Sequence, residues 1–135
     1  MTRRPYRTWL ATFVRRWHSN PDLCHTVDPV GSHSARVALL MLLLFPNVNR
    51  GALIGALCHD LGEIQAGDMP APVKRQFPGI ADQLRRYEAD EIRFQGFPEL
   101  HLTKTQVAQI SLCAKLDAYL WAEKHAPALS RRVVR

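Results

Sequence analysis

The apolar residues of this chain recur at helical spacing almost from end to end, and no run alternates apolar with polar as a half-buried strand does. That pattern removes sheet-based folds and leaves an all-α bundle of five or six helices. The chain has 135 residues, 47% of them hydrophobic and 22% charged, which is enough for one core and too apolar for a disordered tract. A single domain over residues 1–135 is expected, with a further C-terminal segment as an open alternative, because the chain stops abruptly after its last helix. The longest apolar run, Val37 to Phe45, is nine residues, against the roughly 20 that span a bilayer. No membrane span is therefore expected. No signal peptide is expected either, since Trp9 to Val14 is short and runs into Arg15-Arg16.

The spacing predicts a first helix from Tyr6 to Trp17, with Trp9, Phe13 and Trp17 on one face. A loop from Ser19 to Gly31 follows. A second helix is expected to start near Ser32 as N-cap and to end before Pro46; apolar nearly all round, it should lie at the centre. A third starts near Asn49 and carries Leu53, Leu57 and the pair His59-Asp60. Pro70 and Pro72 argue that the stretch from Asp68 to Pro72 is not regular helix. A charged helix from Gly79 to Gln95 comes next. The last opens on Thr103-Lys-Thr-Gln106, a capping-box pattern, and runs to about Lys124.

Three cysteines, Cys24, Cys58 and Cys113, make no CxxC and no even framework, so a reducing cytoplasm is the simplest expectation. Cys58 and Cys113 fall inside apolar helical patterns and should be buried and inert. The net charge is +6, with arginines crowded at 3, 4, 7, 15, 16, 131, 132 and 135. Such a balance attracts phosphorylated anions, though at the two extreme ends a solvated surface explains it as well.

Four residues carry chemistry in a telling order: His33, then His59-Asp60, then Asp117. Two imidazoles and two carboxylates suit a borderline or hard divalent ion that keeps positions open for water and substrate. Such an ion lowers the pKa of water and clamps a phosphoryl oxygen. Asp117 stands among Leu116, Leu120 and Trp121, where an isolated carboxylate is costly unless a cation or donor meets it. Glu63 follows His59 by four residues and would project over the same face, where it can hold a water or pass a proton. Asp68, on a loop after Gly67, can bond a sugar hydroxyl, hold a second ion or simply make a turn. His18, His25, His101 and His125 are expected at the surface or in loops.

The runs Arg15-Arg16-Trp17, Ser32-His33-Ser-Ala-Arg-Val-Ala, His59-Asp60-x-x-Glu63-x-x-x-Gly67-Asp68-x-Pro-x-Pro-x-Lys74 and Lys115-Leu-Asp117 resemble the 5′-deoxynucleotidase branch of the HD-domain phosphohydrolases. In compactness the chain is more similar to the phage dATP triphosphohydrolases of viruses that replace adenine with diaminopurine. It also lacks the acidic residue that often precedes the first ligand. The resemblance implies an HD-domain helical bundle with His33, His59, Asp60 and Asp117 holding cobalt, manganese or zinc. It implies that Glu63 positions water or acts as acid and base, and that Asp68 reads the 3′-hydroxyl or shares a second ion with Glu63. It further implies Arg16 and Lys74 on phosphates, Trp17 lining the nucleoside pocket, and a homo-oligomer, a dimer or larger ring.

The expected function is metal-dependent hydrolysis of dATP to deoxyadenosine and triphosphate or phosphates, depleting the dATP pool in a phage-infected cytoplasm. One alternative is a 5′-deoxynucleotidase acting on monophosphates. An alternative of another class is a basic helical module that binds nucleic acid without catalysis, marked by steep salt dependence.

Overall fold

The computed structural model describes residues 3–128. They form six α-helices and no strand: α1 (Arg3–Ala11), α2 (Val30–Leu44), α3 (Arg50–Cys58), α4 (Ala71–Gln76), α5 (Pro78–Phe94) and α6 (Lys104–His125). One 3-10 turn, Leu61–Ile64, follows α3. The fold class is the expected all-α one. None of these helices is long and apolar enough to cross a membrane. The arginines at 131, 132 and 135 lie outside the described residues.

Two apolar clusters hold the bundle. Val37, Ala38 and Met41 of α2 pack against Ala52 and Ala56 of α3 and Ile110 and Cys113 of α6. The alanines let the helices approach closely, while Met41 and Ile110 fill the space between them. Ala11, Cys58 and Leu61 form a second cluster that brings α1 and the 3-10 turn together, with Ile92 of α5 packed against it. Burial pushes the Cys58 thiol up to about 11, so Cys58 is inert as expected. The predicted starts of α3 and α6 hold. The Asn49 side chain accepts from the Ala52 N–H at 2.9 Å, and Thr103 with Gln106 completes the capping box.

The first helix is shorter than its periodicity predicts. It ends at Ala11, because the next carbonyls are claimed from elsewhere. The Val30 and Gly31 amides, orphan donors at the start of α2, donate to Val14 O at 2.8 Å and Thr12 O at 2.9 Å. Gly31 makes that approach possible, since a Cβ there would stand 2.7 Å from Thr12 Cβ. Trp9, Phe13 and Trp17 therefore do not form a core stripe. Trp9 and Phe13 meet edge to face on the surface, and Trp17 lies beyond the helix. The same contact moves the start of α2 from Ser32 to Val30, with Pro29 as N-cap and no side-chain cap.

Helix α2 is not buried all round. Leu39, Leu42, Leu43 and Leu44 are exposed, because its main packing partners, α3 and α6, cover only one side. The proline-rich stretch becomes helix sooner than predicted. Asp68 to Pro70 is loop, but α4 starts at Ala71 with Pro72 in its first turn, where a missing N–H costs nothing.

The 3-10 turn and α5 meet without a side chain between them. A Cβ on Gly62 would lie 2.6 Å from Glu88 Cα and 2.6 Å from its carbonyl oxygen. Backbone cannot yield as a side-chain tip can. Gly62→Ala is therefore expected to destabilise by about 1–3 kcal/mol, the usual cost of overpacking. A lower urea midpoint would show it; an unchanged midpoint would mean that the turn and α5 separate freely.

Candidate active site

The apolar stripes of the bundle end in polar residues at one pole. His33 precedes Val37 by one turn of α2, and Asp117 follows Cys113 by one turn of α6, so both continue the buried faces of their helices. His59 and Asp60 come directly after Cys58, the last residue of α3. Three segments thus aim at one point. His33 and Asp117 are almost fully enclosed, at 2% and 4% exposure.

Three ligand atoms converge there. His33 Nε2 lies 3.3 Å from His59 Nε2 and 3.4 Å from Asp60 Oδ2, and His59 Nε2 lies 3.2 Å from Asp60 Oδ2. The far side of each ring fixes its protons. His59 Nδ1 bonds to the Ala56 carbonyl at 2.6 Å, which only an N–H can do. His33 Nδ1 faces Asp117 Oδ2 at 2.7 Å, where an N–H bonds the carboxylate. With the rings neutral, both Nε2 atoms then present lone pairs to each other and to a carboxylate oxygen. A proton on His59 Nε2 relieves that repulsion in the metal-free protein, and a divalent ion between the three atoms relieves it without one. A tetrahedral ion with ligands about 2.0–2.1 Å away separates them by about 3.3–3.4 Å, close to the spacings found. The residues present therefore fit a divalent metal.

The fourth expected ligand, Asp117, stands behind His33. Its Oδ2 meets Nδ1 rather than the converging trio, as an outer carboxylate that orients a ligating imidazole does. Arg36 donates to both its oxygens, at 2.6 and 3.1 Å. Burial alone would raise the Asp117 carboxyl, but the bonds from His33 and Arg36 outweigh it and hold it at about 2. In the metal-free protein Asp60 is lowered too: burial opposes ionisation, but a bond from a protonated His59 and the charges of His59, His33 and Arg16 outweigh it, and Asp60 in turn raises His59.

Beside the trio lies a patch of carboxyls with the opposite behaviour. Glu63, in the 3-10 turn, is 4% exposed, and its Oε2 is buried without a hydrogen-bond partner among the described residues. Burial, then the charges of Asp60, Asp68 and Glu88, push its pKa up to about 9. Asp68 is also raised, by burial first, with Arg16 and Lys74 pulling it back. Lys74, near the end of α4, is half-buried and acts electrostatically on Glu63, Asp68 and Glu88, so it is not an ordinary exposed lysine.

Arg16 and Trp17 approach from the loop after α1. The Arg16 side chain is 12% exposed, and its Nη1 lies 3.5 Å from Asp117 Oδ2. Its guanidinium stacks 4.9 Å over the Trp17 ring. Trp17 has φ +65, a left-handed conformation that costs a non-glycine residue about 1–3 kcal/mol and survives only where its surroundings enforce it.

Comparison with known proteins gives one finding. The chain is 33% identical over 87 residues to a 5′-deoxynucleotidase of Vibrio parahaemolyticus, with 56% of this chain and 43% of that protein covered. The similarity is distant and partial. The chain spans less than half the length of that relative. No family model and no solved structure matches.

Three residues at the pole escaped sequence reasoning. Glu88 is one, with Oε1 buried and without a hydrogen-bond partner among the described residues, and its pKa raised by burial. It sits in a charged amphipathic helix, and only the contact at Gly62 brings it beside Glu63. Asp28 and Arg36 are the others. Arg36 was readable, since it follows His33 by three residues on the same helical face. Asp28, in a loop, gave no signal beyond its proximity to His33. Of the unassigned histidines, His18, His25 and His101 are exposed, whereas His125 is half-buried and stacks on Trp121.

Proposed function

We propose that this protein is a metal-dependent phosphohydrolase of deoxynucleotides, of the HD type, acting at the phosphorus that bears the 5′-oxygen. The observation that carries the reading is the convergence of His33 Nε2, His59 Nε2 and Asp60 Oδ2 on one point. The partial similarity to a 5′-deoxynucleotidase supports the nucleotide class. His33, His59 and Asp60 hold the ion, cobalt, manganese or zinc, with Asp117 as fourth ligand or as the carboxylate that orients His33. When bound, that ion activates water and draws charge from a phosphoryl oxygen.

The chain's own residues do the rest. Arg16 grips phosphate as a planar fork, and Lys74 adds a compact charge. Trp17 offers a flat face to the base. Asp68 bonds the deoxyribose 3′-hydroxyl or joins Glu63 around a second ion. Glu63, whose carboxyl burial and its acidic neighbours push up to about 9 in the metal-free protein, gives a proton to the leaving 5′-oxygen as the P–O bond breaks. Water supplies the oxygen that joins phosphorus.

The expected substrate is dATP, split into deoxyadenosine and triphosphate. A second reading is hydrolysis of deoxynucleoside monophosphates, and the relative's activity favours it. A phosphate-release panel over the four dNTPs and four dNMPs, with cobalt, manganese, magnesium or zinc, separates the two. We expect turnover of dATP to exceed that of dAMP. A strict preference for dAMP would establish the second reading, and no release from any nucleotide would end both. The dimer or ring that goes with this reading has an apolar face available at Leu39, Leu43 and Leu120. DNA affinity with steep salt dependence and no metal uptake would instead favour the nucleic-acid module.

A further inference from the structure

Asp28 has no part in the mechanism above, yet every side-chain donor that reaches it comes from the pole where that mechanism acts. It is wholly buried, at 0% exposure. Its Oδ2 accepts from Arg16 Nη1 at 2.7 Å and from Trp17 Nε1 at 2.9 Å. Its Oδ1 accepts from Arg36 Nη2 at 2.7 Å. Arg36 donates onward through Nε to Asp117 Oδ1 at 2.6 Å. Two guanidiniums and two carboxylates thus form a closed, neutral cluster, with the indole bonded to one of its corners.

The backbone is tied at the same place. The Arg16 N–H donates to the Asp28 carbonyl at 3.1 Å, and Arg15 pairs with Pro29 in an isolated bridge. These bonds hold Trp17 in its left-handed conformation. They also decide what the two side chains can still do. The indole N–H is turned inward, so its ring offers a face and not a donor. Arg16 uses Nη1 on the aspartates, which leaves its Nε and Nη2 edge for an anion.

We propose that Asp28 is a positioning residue whose buried carboxylate sets Arg16 and Trp17 as one rigid reader of phosphate and nucleobase and, through Arg36, ties that reader to Asp117 at the metal centre. The proposal rests on the phosphohydrolase reading. Its physical content is registration. The distance between the point where phosphate is gripped and the point where the ion sits is set by the hydrogen-bonded path Arg16–Asp28–Arg36–Asp117, not by a flexible loop. An arginine and a tryptophan free to change rotamer would pay that ordering cost on each binding event; here folding has already met it.

The test uses the full-length, manganese-loaded protein with dAMP and dATP, and the substitutions Asp28→Asn and Trp17→Phe. Asn keeps the shape but removes the charge shared by two guanidiniums. We expect Asp28→Asn to raise KM for both nucleotides about tenfold or more, the scale of a lost bond to a charged group, with a smaller fall in kcat. The Trp17 indole N–H resonance, identified by its loss in Trp17→Phe, should move in Asp28→Asn. Trp17→Phe keeps a smaller aromatic face and removes the donor. It should raise KM about threefold or more, and the double variant should be no worse than Asp28→Asn alone.

KM within about twofold of wild type in both single variants, the scale below one hydrogen bond, would overturn the proposal. So would an unmoved indole resonance. If Asp28→Asn does not fold, an unchanged KM in Trp17→Phe is enough to reject it. A wild-type protein that turns over no nucleotide would end the functional reading instead. The indole resonance, read without substrate, would still decide whether Asp28 sets Trp17.

Discussion

Glu63→Gln is expected to lower kcat by a factor of about 10²–10⁴ while leaving metal affinity and nucleotide binding near wild type. Glutamine matches the shape and fills the same buried space, so the fold should tolerate it. It cannot supply the proton. The argument turns on the proton inventory of the pole. Asp60 and Asp117 are held down as carboxylates by imidazole and guanidinium neighbours. Glu63 is pushed the other way, to about 9, by burial and by three carboxyl neighbours. A site that must both hold a cation and protonate an alkoxide needs acidic groups of each kind.

The same shift sets a pH dependence. Between the ordinary glutamate value and about 9 the folded protein holds a proton on Glu63 that the unfolded chain does not. This contribution to stability is complete at low pH and drains away as pH rises through about 9 in the metal-free protein. A bound cation favours the carboxylate and brings that limit down. The kcat profile should therefore fall on its alkaline side, and the residual activity of Glu63→Gln should lack that limb. Wild-type turnover in Glu63→Gln would remove Glu63 from the mechanism.

His59→Ala should abolish turnover and weaken binding of cobalt or manganese by more than the roughly 10–100-fold that loss of an outer carboxylate costs. It removes one of three converging atoms and leaves His33 and Asp60 without a closed set. Two measurements check this. Isothermal titration reads affinity directly. Thermal melting reads it through linkage, because an ion at 100 times its Kd stabilises the folded state by about 2.7 kcal/mol. At roughly 3 °C per kcal/mol for a chain of this size, wild type should gain about 8 °C on loading, and His59→Ala almost nothing. Chelation should reverse both the gain and the activity. A wild-type protein that takes up no divalent ion would leave the lone-pair trio without its explanation and the proposed chemistry without its electrophile.

Some of this was legible in the chain itself. The starts of α3 and α6 follow from Asn49 and from Thr103 with Gln106, because a cap is a local bond between residues three apart. Inward-facing His33 and Asp117 follow from helical spacing to Val37 and Cys113. The end of α1 was not legible. Thr12 and Val14 give up their carbonyls to α2, a contact between segments that the intervening loop separates. Glu88 looked like one charge among several on α5, and only the absence of a side chain at Gly62 sets it beside Glu63.

The order of residues alone determined that the molecule is helical and that imidazole and carboxylate stand at the ends of its apolar stripes, since both depend on repeats within a few residues. The tertiary structure decided which of those groups keeps a proton. It also decided which aspartate meets the two Nε2 atoms and which stands behind an imidazole, and that Asp28 binds Arg16, Trp17 and Arg36 together. Ionisation and hydrogen bonding depend on what lies within a few ångströms in space. In a bundle, those neighbours come from helices far apart along the chain.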